Sequence, residues 1–133
     1  NRRGALLPRA IHPGYPPAST YKLVTAMAAL RNGAITPEYA GTCDGIYKGM
    51  KCHVFPGRHG IVDLIAAEAQ SCNVYFFRLG EKVGHEALIK ESKRFGMDKS
   101  PPVQLPSVPD KPLVPDPEWK RKKLQVEWNL EDN

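Results

Sequence analysis

The most continuous run of small and nonpolar residues in the chain covers residues 21–30. A run that leaves no polar face predicts a helix that is buried on most sides. Ser19 stands just before this run, and Gly33 supplies a stop signal after it. Because other elements must enclose so apolar a helix, we expect part of its domain to lie outside the 133 residues.

Three further helices are predicted downstream. One begins at Asp63, a good N-cap residue, and runs to Gln70. A second, apolar helix covers residues 74–79 and ends at one of the glycines that follow, and a third, amphipathic helix covers residues 85–95. We expect the inward face of the third helix to be Ala87, Leu88 and Phe95, and its outward face to be Glu86, Lys90, Glu91, Lys93 and Arg94.

The remaining segments lack a helical pattern. Residues 1–18 are rich in proline and glycine, which indicates an extended loop, and residues 34–60 form a glycine-containing insert with short strands at most. The stretch from Pro101 to Pro117 holds seven of the 13 prolines, and each proline removes a backbone hydrogen-bond donor. The pattern therefore predicts a helix-rich chain with no well-defined strand, and a loop from Met97 onward.

Composition and charge narrow the class of protein. A hydrophobic fraction of 41% and a charged fraction of 25% are typical of a globular chain, and 133 residues suffice for one domain. The net charge is +5, and its densest cluster, Lys120–Lys123, is typical of a solvated loop or helix face. Nucleic-acid binding would require more basic residues, interleaved with aromatic ones.

Ser19 and Lys22 form the first pair of residues that suggests chemistry. Their spacing of three puts both side chains on one face at the start of the helix. Desolvation and the positive end of the helix macrodipole both lower the pKa of a lysine in such a place. A neutral lysine beside a serine hydroxyl is a base that can activate a nucleophile, whereas the alternative is an N-cap serine followed by a surface lysine.

The triplet Ser71-Cys72-Asn73 lies between two of the predicted apolar helices. Its serine could relay a proton between Lys22 and a leaving group, and its asparagine could hold a substrate amide. The alternative is an ordinary turn between helices, where serine and asparagine are common. An S-x-x-K motif with S-D-N and K-T-G motifs is the signature set of class A β-lactamases and penicillin-binding proteins.

The residues around both motifs resemble class B penicillin-binding proteins of the penicillin-binding protein 2 type. Tyr15–Lys22 is similar to their Y-P-P-G-S-T-F-K segment, with Ala18 in place of the usual glycine. The resemblance covers nearly the whole chain, in the order Arg9–Ile11, Cys43–Tyr47, Lys51–His53, His59–Leu64, Ala69–Phe77, Phe95-Gly96, Leu105-Pro106 and Pro117–Lys120.

This resemblance implies a fold class and a reaction. The fold would be α/β (α+β), the DD-peptidase/β-lactamase-like transpeptidase fold, with this chain covering mainly its helical part. The protein would be a serine D,D-transpeptidase that cross-links the stem peptides of peptidoglycan. In that enzyme Ser19 attacks the D-Ala–D-Ala bond and Lys22 is the general base. Ser71 assists proton transfer, Asn73 binds the substrate peptide, and β-lactams acylate Ser19 in place of the substrate.

The resemblance also implies a location and a set of partners. The parent protein would be anchored at the periplasmic face of the bacterial inner membrane by a span outside this chain, and would work with the cell-wall elongation machinery rather than with nucleic acid. No cofactor would be required. No K-[ST]-G motif occurs in the sequence, so we expect residues 1–133 to be a partial transpeptidase domain that is inactive alone.

Cys43, Cys52 and His59 raise a question of their own. They lie close together in the chain beside His53, but their spacing differs from that of a zinc finger. Three interpretations of these residues stay open: a Cys43–Cys52 disulfide, a structural zinc site formed by Cys43, Cys52 and His59, and free thiols. We interpret Cys72 as a packed small residue rather than a second nucleophile.

Two other functions compete with the enzyme. One is a module of the same ancestry that binds β-lactams or peptidoglycan as a sensor without turnover. The other is a basic nucleic-acid-binding domain in which both motifs are coincidental. Covalent labelling by a fluorescent penicillin separates the first two from the third.

Overall fold

The computed structural model describes residues 16–100 and 112–129. Predictions for the extended segment up to residue 15, for residues 101–111 of the proline-rich stretch and for residues 130–133 lie outside the described residues. In chain order the elements are a 3₁₀ turn (Ala18–Thr20), α1 (Tyr21–Arg31), β1 (Gly41–Cys43), β2 (Ile46–Tyr47), β3 (Met50–Lys51), β4 (Gly60–Val62), α2 (Leu64–Ala69), α3 (Asn73–Val83), α4 (His85–Arg94) and α5 (Pro117–Leu124).

The core lies where α1 packs against α3 and α4. Small residues on α1 allow this close approach: Ala28 and Ala29 are fully buried, and Ala29 belongs to the same buried cluster as the larger side chains of α3. The central cluster of buried residues comprises Ala26, Ala29, Ile35, Cys43, Cys52, Val62, Ala67, Cys72, Val74, Tyr75, Phe76 and Leu79. All three cysteines belong to this cluster, so the insert between α1 and α2 is part of the core.

Two small antiparallel sheets shape that insert. Strand β1 pairs with β4, with Cys43 opposite Gly60, and β2 pairs with β3, with Ile46 opposite Lys51. The four strands have two or three residues each, in agreement with the expectation of short strands at most in this insert. Strands of two or three residues are too short to show an alternating pattern, and glycine at their ends weakens the signal further.

The predicted boundaries of α2 are confirmed. The Asp63 carboxylate accepts a hydrogen bond from the Ala66 N–H at 2.7 Å, which is N-cap geometry. Helix α3 begins at Asn73, the last residue of the predicted break, and continues to Val83, beyond the predicted residues 74–79. Gly84, with a φ of 78°, then turns the chain directly into α4.

The predicted faces of α4 need correction. Leu88 is buried as expected, but Phe95 is exposed at the end of the helix. Glu91, expected on the outward face, is only 2% exposed, and the Arg31 guanidinium donates to both of its carboxylate oxygens at 3.1 and 3.2 Å. A buried carboxylate is stable when a cation from another helix pairs with it, and sequence periodicity does not reveal such a partner.

Two further expectations differ from the structure. Residues 117–124 form a helix rather than a loop, because Asp116 caps the Trp119 N–H and Pro117 occupies the first turn, where proline is tolerated. Lys120, from the basic cluster, is buried rather than solvated.

On α1, Leu23 and Met27 are exposed, so the described residues do not enclose that helix on all sides. No helix among the described residues is both long and apolar enough to span a membrane.

Candidate active site

Ser19 lies in the 3₁₀ turn that leads into α1, and it is exposed. The residue before it, Ala18, has a φ of 48°, a left-handed conformation that costs energy for a residue with a side chain. Thr20 secures the turn locally, since its hydroxyl donates to the Pro17 carbonyl. The turn thus presents the Ser19 hydroxyl at the surface while its backbone is held.

The Ser71-Cys72-Asn73 triplet forms a second constrained turn, between α2 and α3. Ser71 has a φ of 50°, again left-handed and again in a residue other than glycine. This conformation aims both the hydroxyl and the carbonyl of Ser71 at Lys22. The turn is therefore built to provide polar groups in one direction, although a glycine would adopt it at lower cost.

Lys22 joins the two turns. Its ammonium nitrogen lies 2.8 Å from the Ser71 carbonyl oxygen, 2.8 Å from the Ser71 hydroxyl and 2.7 Å from Asn73 Oδ1. The Ser19 hydroxyl oxygen lies 3.3 Å from the same nitrogen and 3.2 Å from the Ser71 hydroxyl. Ser19, Ser71 and Asn73 thus all contact the Lys22 amine, although the two motifs are far apart in sequence.

Burial shifts Lys22 toward its neutral form. Burial lowers the pKa of Lys22, and the nearby acidic groups Cys52, Glu68 and Cys72 offset this only in part. The Lys22 nitrogen itself lies over the ring of Phe76, 5.7 Å from the ring centre. A neutral amine has a free lone pair, so Lys22 could accept the Ser19 proton directly or through the Ser71 hydroxyl.

Asn73 is held from a second direction. Its Nδ2 group donates to the Lys51 carbonyl at 3.4 Å, while its Oδ1 accepts from Lys22. These two contacts fix which end of the amide faces the lysine. Strand β3, which ends at Lys51, is therefore part of the frame of the site.

A second cluster, of three cysteines and one histidine, adjoins the polar site and includes Cys72 of the triplet. The sulfur atoms of Cys43, Cys52 and Cys72 and a ring nitrogen of His59 all lie within 4.8 Å of one another. All three cysteines are free and buried. Cys43, Cys52 and His59 are the residues that the sequence suggested for zinc, and the structure brings them together.

Cys72 is the residue of this cluster that the sequence analysis missed as a ligand. Its buried position agrees with the interpretation of a packed residue, but its sulfur also faces the other two thiols and accepts from the Tyr75 N–H at 3.5 Å. A cysteine inside a candidate catalytic triplet gives no signal of metal binding by spacing. Only the fold brings it next to Cys43 and Cys52.

The thiols differ in their electrostatic surroundings. Burial raises the pKa of Cys52, but backbone N–H groups of Val74, Val54 and Asn73 outweigh it, so the pKa of this thiol is lowered overall. Two of these N–H groups belong to the first turn of α3, where a helix favours negative charge. Burial raises the pKa of Cys72 to about 12. Cys52 is thus better prepared than Cys72 to become a thiolate.

The loop between Cys43 and Cys52 depends on one glycine. Gly45 has a φ of 88°, and a Cβ atom there would lie 2.3 Å from the Gly57 carbonyl oxygen. Its own carbonyl accepts from the Cys52 N–H at 2.9 Å. Only glycine fits this backbone, and the turn that it allows places Cys52 beside Cys43.

Comparison with known proteins gives consistent similarities. Residues 1–127 match the family described as the penicillin binding protein transpeptidase domain. The chain is 32% identical over 125 residues to the peptidoglycan D,D-transpeptidase MrdA of Acinetobacter baumannii, covering 90% of this chain and 18% of that protein. It is 36% identical over 117 residues to the peptidoglycan D,D-transpeptidase PbpA of Mycobacterium tuberculosis, covering 80% and 23%. The chain spans about a fifth of the length of these curated relatives.

Solved structures show the same similarity in three dimensions. PBP2 of Pseudomonas aeruginosa superposes with a TM-score of 0.84 at 30% identity, over 94% of this chain and 29% of that one. PBP2 of Helicobacter pylori, solved in complex with MreC, superposes with a TM-score of 0.76 at 27% identity, over 89% and 23%. The mixed helix and strand fold expected for this chain is confirmed.

Proposed function

This chain belongs to the penicillin-binding protein transpeptidase family, and from that membership we propose that the protein carrying it is a peptidoglycan D,D-transpeptidase that works through a serine acyl-enzyme. The observation that carries the proposal is the contact of Ser19, Lys22, Ser71 and Asn73 around one amine. The match to the family profile leaves the nucleic-acid-binding alternative without support.

The reaction follows from the contacts of Lys22. The neutral amine takes the proton of the Ser19 hydroxyl, and the Ser19 oxygen attacks the carbonyl carbon of the D-Ala–D-Ala peptide bond. As the peptide C–N bond breaks, the proton passes to the leaving D-alanine nitrogen. Ser71 is suited to carry it, because its hydroxyl contacts both Lys22 and Ser19.

The second half of the reaction regenerates Ser19. An amine of a neighbouring stem peptide attacks the ester carbonyl and loses a proton to Lys22, and the ester oxygen leaves as the hydroxyl of Ser19. Asn73 holds Lys22 through Oδ1 while its Nδ2 lies at the edge of the site beside the Lys51 carbonyl. That position suits it to bind the substrate backbone.

The proposed substrates and partners follow from the family. Stem peptides ending in D-Ala–D-Ala are the substrate class, and β-lactams are the inhibitors that acylate the same serine. The site of action is outside the cytoplasm, at the periplasmic face of the inner membrane. The complex of the Helicobacter pylori relative with MreC supports a partner from the cell-wall elongation machinery.

Labelling with a fluorescent penicillin tests the nucleophile. The complete gene product should take up a label that survives denaturation, and Ser19→Ala should abolish the label. Ser100→Ala, a serine after α4, is the matched control and should label like the wild type. Persistent labelling of Ser19→Ala would overturn the assignment. Labelling without cross-linking of stem peptides would favour the sensor.

We propose further that Cys43, Cys52, Cys72 and His59 hold a structural zinc ion. Three cysteines and one histidine are a common set for structural zinc, and sulfur ligands at about 2.3 Å from zinc lie roughly 3.8 Å apart. The observed limit of 4.8 Å requires only a small contraction. N–H donation to Cys52 stabilises its thiolate, which is the form that binds. A bound zinc ion would supply a cross-link between the insert and the triplet.

Two neighbouring histidines allow a matched test of the zinc proposal. His59 and His53 both lie near Cys52, with Nδ1 at 3.6 and 3.8 Å from its sulfur, but only His59 belongs to the four-residue cluster. We expect one zinc per chain in the purified protein by elemental analysis, its loss in His59→Ala, and its retention in His53→Ala. Zinc-free protein, or protein with a Cys43–Cys52 disulfide by mass spectrometry, would contradict the proposal.

A further inference from the structure

We infer that Tyr21 is a positioning residue for Ser19 and Lys22, and that it acts through a hydrogen bond to Ser92 on α4. This inference rests on the proposed function, because it concerns the rate at which Ser19 is acylated. Tyr21 lies between the two residues in sequence, at the junction of the 3₁₀ turn and α1. Its hydroxyl lies 2.8 Å from the Ser92 hydroxyl oxygen.

The direction of this hydrogen bond can be deduced. The Ser92 hydroxyl donates to the Leu88 carbonyl at 2.8 Å, and a serine hydroxyl has a single proton. Tyr21 must therefore be the donor and Ser92 the acceptor. Ser92 is 1% exposed, so solvent has little access to its hydroxyl. The result is an ordered chain of two hydrogen bonds that runs from the nucleophile turn into the interior of α4.

This bond differs from the other contacts of the motif. Thr20 secures the turn only locally, to Pro17. Lys22 contacts the triplet, whose groups take part in the proposed chemistry. Tyr21 alone among these three residues ties the motif to a helix that contributes no group to the proposed chemistry. It is thus suited to fix the position of the turn without entering the reaction.

Ser19 is sensitive to small displacements. Its hydroxyl oxygen lies 3.3 Å from the Lys22 nitrogen and 3.2 Å from the Ser71 hydroxyl, both near the long end of hydrogen-bond distances. A shift of a few tenths of an ångström would therefore break these contacts. The left-handed backbone of Ala18 adds strain that an unheld turn would relieve by moving.

The opposite end of α1 has its own bond to α4, between Arg31 and Glu91. Tyr21 and Arg31 are ten residues apart, which is about 15 Å along a helix. The two bonds thus hold the same pair of helices together at opposite ends of α1. Only the bond at Tyr21 lies next to the nucleophile, so loss of α1–α4 packing in general and loss of positioning can be distinguished.

The test is acylation kinetics of the complete gene product with a fluorescent penicillin, resolved into the rate constant for acylation and the constant for initial binding. We expect Tyr21→Phe to lower the rate constant by roughly threefold to tenfold, the scale of one hydrogen bond, with initial binding changed by less than about twofold. Ser92→Ala should have the same effect, and the double variant should show no further decrease.

The control is Tyr75→Phe, which removes the same atom from another buried tyrosine. The Tyr75 hydroxyl donates to the Tyr39 carbonyl at 3.1 Å, so the variant loses a hydrogen bond of similar kind. It should lower the melting temperature without lowering the acylation rate constant. If Tyr21→Phe fails to fold, the acylation rate constants of Ser92→Ala and Tyr75→Phe are compared instead, and this comparison tests the inference.

Three results would overturn the inference. Tyr21→Phe and Ser92→Ala could acylate at the wild-type rate, their effects could add in the double variant, or Tyr75→Phe could slow acylation equally. In each case the wild type still labels at Ser19, so the proposed function stands. A wild type that does not label at all overturns the proposed function, and this inference with it.

Discussion

The Ser71-Cys72-Asn73 turn serves two regions of different character. Its outer residues, Ser71 and Asn73, face the amine of Lys22. Its middle residue, Cys72, faces the opposite way, into the cluster with Cys43 and Cys52. The left-handed backbone of Ser71 and the start of α3 at Asn73 separate the directions of these side chains, so three consecutive residues connect a polar centre to a sulfur cluster.

The two regions also differ in exposure and in charge. The polar centre, which consists of Ser19, Lys22, Ser71 and Asn73, opens to solvent at Ser19, whereas the three thiols of the sulfur cluster are buried. Burial lowers the pKa of Lys22 on one side of the turn and raises the pKa of Cys72 to about 12 on the other, so burial shifts both groups toward their neutral forms. The first region is suited to react with a substrate, and the second is suited to hold the first in place.

Replacing the amine should produce the largest effect on acylation. Lys22→Met keeps the length of the side chain but removes the base, and general bases contribute about 10²–10⁴ to rate. We expect a loss of that size in penicillin labelling, with the zinc content unchanged because Lys22 is not in the thiol cluster. Lys90→Met, an exposed lysine on α4, is the control. A loss below about tenfold would show that another group is the base.

The pH dependence of acylation should have a definite sign. Acylation needs neutral Lys22, so its rate should rise about tenfold per pH unit below the Lys22 pKa and level off above it. Because burial lowers this pKa, the plateau should begin below the ordinary lysine value. Between the two values the unfolded chain holds more protons than the folded one, so the free energy of unfolding should rise with pH. The ordinary lysine pKa is about 10.4, so the range from pH 6 to 10 covers about four units below it. An acylation rate that does not change over this range would contradict the prediction.

A change in the sulfur cluster should have the smallest effect on acylation. Cys72→Ser should remove the zinc and destabilise the fold by about 1–3 kcal/mol, because it leaves a hydroxyl in an apolar place. Acylation should fall by less than about tenfold, since Ser71 and Asn73 keep their contacts with Lys22. Elemental analysis, thermal melts and labelling rates check the three parts. Full zinc retention, or loss of acylation as large as that of Lys22→Met, would show that the two regions are not separate in function.

The placement of Ser19 and Lys22 on one face could be predicted from the sequence for a physical reason. A spacing of three at a helix start places Ser19 and Lys22 on one face whatever the rest of the fold does. The Asp63 cap and the break at the triplet are equally local. That the two motifs meet at Lys22 could not be derived from spacing, and the resemblance to a known family provided that expectation.

The features that could not be predicted depend on distant contacts. Cys72 joins the cluster because two short sheets return Cys43 and Cys52 to the start of α3, and strands of two or three residues leave no periodic pattern. Glu91 is buried because Arg31, on another helix, pairs with it. The Tyr21–Ser92 bond likewise joins residues 71 positions apart. In each case the partner is supplied by tertiary packing.

The most direct test of the account is to map the residue that carries the acyl group. After reaction with penicillin, proteolysis of the complete gene product and mass spectrometry should place the penicilloyl group on the peptide that contains Ser19, and fragmentation should assign it to that hydroxyl. An acyl group on Ser71, or on the sulfur of Cys52 or Cys72, would contradict the account, because Ser19 would then not be the nucleophile.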